Sequence, residues 1–253
     1  MTILPSSLER FAREFWAGTG LQETFPRDIE KAVALKLPLA VVKLPQLTVK
    51  AVGQWLERQG IVPPLPLDPR DLLGCLVAYR GYGIIFVCGV DTPEEQRLTL
   101  AHEVAHFLVD YLWPRREIIR ALGTPISEVL DGVRAPTVVE RAAAILSHVR
   151  LGTYVRLIPR PGKDEDTEPF VAQAENRADR LALELIAPSK HIRHLLQDFS
   201  TNETMIPEKI CSALAGYFGL PVYAFDGVAR QVNHQPRPIS FLADVKTALR
   251  RRP

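Results

Sequence analysis

Residues 98–111, LTLAHEVAHFLVDY, decide how this chain is read, because they place His102, Glu103 and His106 in one short run. On an α-helix, positions i and i+4 stack along one face, so His102 and His106 can turn imidazole nitrogens toward a single ion. Glu103 stands one step round the helix. An ion held by three protein donors keeps a position for water and lowers that water's pKa to about 7, and a neighbouring carboxylate can then take its proton. The spacing His-Glu-x-x-His therefore points to zinc, with His102 and His106 as ligands and Glu103 as the acid/base, which is the arrangement of zinc peptidases.

The flanking residues favour a helix. Thr92 reads as an N-cap, Pro93 as its first helical position and Glu95 as the reciprocal half of a capping box. Ala101, Val104, Ala105 and Leu108 recur at i, i+3, i+4 and i+7 and predict the buried stripe, with both histidines on its flank.

Two histidines do not complete a zinc site, so a third donor must come from elsewhere. Residues 173–188, QAENRADRLALELIAP, predict a core helix with its stripe on Ala174, Ala178, Leu181, Ala182 and Leu185. Glu175 and Asp179 share the margin of that stripe, where an acid needs a partner. Glu175 is the leading third ligand, and Asp179 would accept the outer N–H of a ligating histidine, orienting it. Asp110, Glu117, Glu128, Glu140 and Glu184 compete for the ligand role. Asp110 follows His106 by four residues but lies far along the helix for the same ion. Leu112 stands where the long metzincin motif has its third histidine, so that motif is absent.

The rest of the chain sets the frame. At 253 residues it can bury a full core, and 47% hydrophobic with 24% charged residues argues against wholesale disorder. A formal charge of +2 gives no electrostatic reason to expect nucleic acid as a direct partner. No apolar run reaches the about 18 residues of a membrane span, and the N-terminus lacks the order of a signal peptide. The three cysteines are widely spaced, which predicts buried free thiols and a cytoplasmic protein. Helical spacing recurs over 7–16, 28–35 and 49–58, and 39–44 predicts a strand. The prolines of 63–69 mark a loop. Residues 72–79 and 83–88 predict a hairpin turning at Arg80-Gly81-Tyr82, its second strand leading almost directly into the metal helix. An edge strand so placed could hold an extended peptide by backbone pairing. Thr124-Pro125 opens a short helix, and Thr137 with Glu140 forms a capping box for another. These consecutive helices lack the Arg, Asn and Gln cluster of a DNA-reading helix-turn-helix, so packing explains them better. A strand over 153–158, an acidic exposed loop at 163–168, a helix over 207–218 and a solvated arginine tail at 250–252 complete the reading. His191 and His194, near the end of the ligand helix, are expected to be solvated.

Glu94-Glu-Gln-Arg-Leu-Thr-Leu-Ala-His-Glu-Val-Ala-His106, followed by Glu175-Asn-Arg-Ala-Asp-Arg-Leu-Ala-Leu-Glu-Leu-Ile-Ala-Pro188, resembles the ImmA/IrrE family of metallo-endopeptidases. The preceding hairpin also sits where that family has its strands. The resemblance covers about 73–188 with a gap in the middle, and the pair of motifs, not either alone, carries it. It implies zinc on His102, His106 and Glu175, Glu103 as catalytic acid/base, and a gluzincin-like domain. The expected fold is thus α+β: a zincin-like catalytic domain over 1–200 with a small antiparallel sheet packed on the active-site helix. A helical insertion spans about 113–170, and a C-terminal helical extension spans 201–253. Leu98, Ala105, Leu181 and Ala187 replace the family's usual Phe, Gly, Phe and Met, apolar for apolar in most cases.

The resemblance further implies a regulatory protease whose protein substrate is a helix-turn-helix transcriptional repressor, switching stress-response or mobile-element genes. The alternative is a zincin-fold sensor or scaffold that binds a repressor or other protein without cutting it, and a third reading is a DNA-binding regulator. Peptide hydrolysis would also call for an additional electrophile, for which Tyr111, His148 and Tyr154 are candidates.

Overall fold

The computed structural model describes residues 5–62, 65–66, 70–147, 149, 151–160, 169–200 and 207–228. His148, the acidic run at 163–168 and the arginines at 250–252 lie outside them, as does most of the proline-rich loop. The described residues form a mixed α+β structure of ten α-helices and one four-stranded sheet. Among them no helix is long and apolar enough to cross a membrane.

The sheet is built on the hairpin. β2 (Leu72–Tyr79) and β3 (Tyr82–Cys88) pair antiparallel, with Cys75 opposite Phe86 and Tyr79 opposite Tyr82. Arg80 and Gly81 make the two-residue turn with φ of 52° and 84°. Positive φ at both positions is the geometry whose twist suits a tight hairpin, and glycine adopts it without steric cost. The Tyr111 hydroxyl accepts the Gly81 N–H at 2.8 Å, so the turn is tied to the residues that follow the metal motif.

β1 (Leu39–Leu44) lies on the other side of β3 and runs parallel to it, Val41 opposite Ile85. β4 (Tyr154–Pro159) joins β2 antiparallel, giving the order β1-β3-β2-β4. The expected antiparallel sheet is therefore mixed. A short turn dictates antiparallel pairing only for the strands it joins; β1 reaches β3 by a pairing distant in sequence, which no local signal directs. The same order removes β3 from the role of an edge that holds a peptide. Both of its sides are already paired, and the edges are β1 and β4.

Two compact units divide the chain: 1–36, 91–102 and 161–253 form one, and 37–90 with 103–160 the other. In the second unit, α3 (Val49–Arg58) starts from Thr48, whose side chain accepts the Ala51 N–H. Its Val49, Val52 and Leu56 pack with Leu72, Cys75, Val77, Phe86 and Cys88 of the sheet. Leu76, Ala78, Ile85 and Val87 alternate with these and are buried as well, so the hairpin is covered on both faces. α5 (Trp113–Leu122), α6 (Ile126–Leu130) and α7 (Val138–Leu146) close a smaller core around Ile118, Ile126, Val129, Leu130 and Ala144. The capping box at Thr137 and Glu140 is formed.

The first unit holds α1 (Pro5–Ala17), α2 (Ile29–Lys36), α8 (Pro169–Ile186), α9 (Ser189–Ser200) and α10 (Pro207–Phe218). α1 packs along α8. The C-terminal end of α8 is capped from outside: the Leu185 carbonyl accepts Trp16 Nε1 at 2.8 Å and Arg27 Nη1 at 2.9 Å. Arg27 itself lies over the rings of Trp16 and Phe25, 4.8 and 5.1 Å from their centroids. Cations at a helix C-terminus oppose the partial negative charge of its unpaired carbonyls.

Candidate metal centre

α4 (Pro93–His106) carries the motif and is one continuous helix. Its start is as the sequence predicts: the Glu95 N–H donates to Thr92 Oγ1 at 3.3 Å, and Glu95 Oε2 accepts the Thr92 N–H at 3.2 Å. Its second half departs from the expected amphipathic helix. Every residue from Leu98 through Val109 is buried, and the histidines do not flank a solvated face. A helix apolar on most of its circumference is a core helix, and the few polar residues it buries must be engaged chemically. His102, Glu103 and His106 are each fully buried.

The helix then widens rather than ends. Residues Phe107–Leu112 form a π-helical turn that leads directly into α5. Phe107 sits against Gly83 of β3, where an added Cβ would come within 2.8 Å of its ring. Glycine at that position is what admits the aromatic ring.

One donor atom from each of His102, His106 and Glu175 lies within 4.8 Å of the others, and all three residues are buried. His102 Nε2 is 3.5 Å from Glu175 Oε2. Donors about 2.0–2.1 Å from a tetrahedral ion stand about 3.4 Å apart, so this separation matches an edge of the coordination polyhedron. The other imidazole nitrogen of His102, Nδ1, is 2.9 Å from Asp179 Oδ1. Glu175 and Asp179, one helical turn apart on α8, thus address the two nitrogens of one ring. Two imidazole nitrogens and a carboxylate oxygen fit a divalent cation, and this buried group could hold one.

Asp110 has a different place from the one weighed for it. Its Oδ2 is 2.5 Å from His106 Nδ1, on the outer nitrogen of the second imidazole. The i,i+4 spacing places Asp110 near the face of His106 but does not tell a ligand from a partner of the ring's outer nitrogen. The remaining competitors are engaged elsewhere: Glu117 with Arg120 at 2.5 Å, Glu128 and Glu140 with Arg134 at 3.2 and 2.6 Å. The hydrogen bond from Arg134 holds the Glu140 carboxyl down at about 2. Glu184 accepts the backbone N–H of Ser189 at 3.1 Å.

Of the candidate electrophiles, Tyr111 spends its hydroxyl on Gly81, and burial raises its pKa. Tyr154 is buried and stacks on Tyr111 at 6.1 Å between centroids. Of the two histidines expected to be solvated, His194 is exposed and His191 is partly so, 3.7 Å from Glu23 and edge-on to Phe25. Cys75, Cys88 and Cys211 are free and buried, as expected of small apolar side chains. Burial pushes the Cys75 thiol well above its ordinary value, and the nearby Glu103 carboxylate adds to the effect.

No protein-family model matches this chain, and neither a curated protein nor a solved structure matches it.

Proposed function

We propose that this chain is a zinc-dependent endopeptidase of the ImmA/IrrE type, zincin-like in its catalytic part, with a transcriptional repressor or similar regulatory protein as substrate. The observation that carries the reading is the buried convergence of His102, His106 and Glu175, with Asp179 on the outer nitrogen of His102. Two imidazoles from a His-Glu-x-x-His helix with one glutamate carboxylate are the donor set of zinc peptidases, which is the support for zinc. Support for the family and for the kind of substrate comes from the paired motifs in the sequence. The expectation of a cytoplasmic protein agrees with three free cysteines.

In that reading zinc, when bound, supplies a Lewis acid that polarises a carbonyl and acidifies water. His102, His106 and Glu175 hold it. Glu103, next to His102 on α4, takes the proton of the attacking water as its oxygen bonds to the scissile carbon. The same carboxyl then delivers that proton to the amine nitrogen as the C–N bond breaks. Asp179 keeps the His102 ring in the tautomer that leaves Nε2 free to bind.

The test is Glu103→Gln. It removes the proton carrier and leaves every proposed ligand in place, so the variant should retain one equivalent of zinc while cleavage of a genome-neighbour repressor falls by about 100-fold or more. Equal behaviour of variant and wild type toward that protein would favour the non-proteolytic scaffold.

A further inference from the structure

We infer that Asp110 is the positioning residue for His106, holding the second imidazole toward the ion as Asp179 holds the first. The inference rests on the metal reading of His102, His106 and Glu175. Asp110 Oδ2 lies 2.5 Å from His106 Nδ1, a short hydrogen bond between a carboxyl oxygen and an imidazole nitrogen. An ionised carboxylate only accepts, so the shared proton belongs to Nδ1 and the lone pair of His106 lies on Nε2. Asp179 Oδ1 stands 2.9 Å from the corresponding nitrogen of His102, an ion-pair contact that favours the same tautomer there.

The two carboxylates reach their rings by different routes. Asp179 comes from α8, distant in sequence, whereas Asp110 comes from the turn that continues the histidine's own helix. That turn is π-helical and is secured at both of its aromatic residues: Phe107 against Gly83, and Tyr111 through its hydroxyl to the Gly81 N–H. π-Turns inside helices recur at functional sites. This one carries Asp110, whose side chain remains mostly covered, at 15% exposure. His106 is thereby oriented by local structure, before any donor from α8 is needed.

The experiment is a chelator-competition titration of zinc on the metal-free full chain, comparing wild type with Asp110→Ala, Asp110→Asn, Asp179→Asn and His106→Ala. Asp110→Ala should weaken zinc by about 10- to 100-fold, and Asp110→Asn, which keeps an acceptor oxygen, by less. Long-range proton–nitrogen spectra of the zinc-loaded wild type should show two strongly hydrogen-bonded Nδ1–H protons. Asp110→Ala should lose the one from His106 and keep the one from His102, a change that a general loss of packing does not produce. If Asp110→Ala does not fold, Asp110→Asn carries the test through an upfield shift of the same His106 proton. Zinc affinity within about twofold of wild type, with both protons unmoved, overturns the inference. His106→Ala binding zinc like wild type would instead overturn the metal reading, so the two failures are told apart.

Discussion

Glu175 and Asp179 would be unremarked acids on a solvated helix face if His102 were not opposite them. Their spacing alone says only that they share a margin; the distances of 3.5 and 2.9 Å put one carboxylate beside each nitrogen of His102. Tyr111 shows the reverse. A tyrosine five residues past the motif reads as a catalytic electrophile, yet its hydroxyl accepts the Gly81 N–H and its proton is made harder to release by burial. Tyr111→Phe should therefore lower unfolding free energy by about 0.5–1.5 kcal/mol in urea titration. Zinc affinity should stay as in wild type, and a large loss of cleavage with unchanged stability would return Tyr111 to the chemistry.

Among the elements, the hairpin and the π-helical turn depend on each other. Gly83 of β3 leaves the space that Phe107 fills; a Cβ there would also stand 2.5 Å from Leu39 of β1. Gly83→Ala forces at least one of these side chains aside, and overpacking of this kind costs about 1–3 kcal/mol. Chemical unfolding should register that loss. Because Phe107 directly follows His106, zinc affinity should fall with it, and a variant as stable as wild type would mean that Leu39 and Phe107 have room to move. α7 is legible from its cap, since Thr137 and Glu140 mark a start by chemistry that needs no distant partner. α9 carries no start signal that the sequence reading uses, and the apolar spacing in α4 predicts an amphipathic helix where the structure has a buried one. Burial on every side is a property of what surrounds a helix, and the apolar run that encodes it is shared with an ordinary core stripe.

For the whole molecule, metal binding and folding should be linked. An ion that binds only the folded chain stabilises it by about 4 kcal/mol at a free concentration 1,000 times its Kd, which for a chain of this size raises the melting temperature by about 10 °C. Scanning calorimetry of metal-free protein with and without zinc should show the rise for wild type and lose most of it for Glu175→Ala. A full zinc response in Glu175→Ala would assign the third ligand elsewhere. The chain divides into two compact units, each drawing on more than one stretch of sequence, and the residues of α4 are shared between them, the division falling after His102. The sequence by itself determined the elements with local signals: the metal helix and its cap, the hairpin, and the two donors at i and i+4, because spacing and capping act over a few residues. Only the tertiary structure decided the parallel pairing of β1, the interior place of β3, the approach of Glu175 to His102 and the contact of Asp110 with His106. Each of those joins groups by a particular register or side-chain direction, and neither is encoded in composition or period.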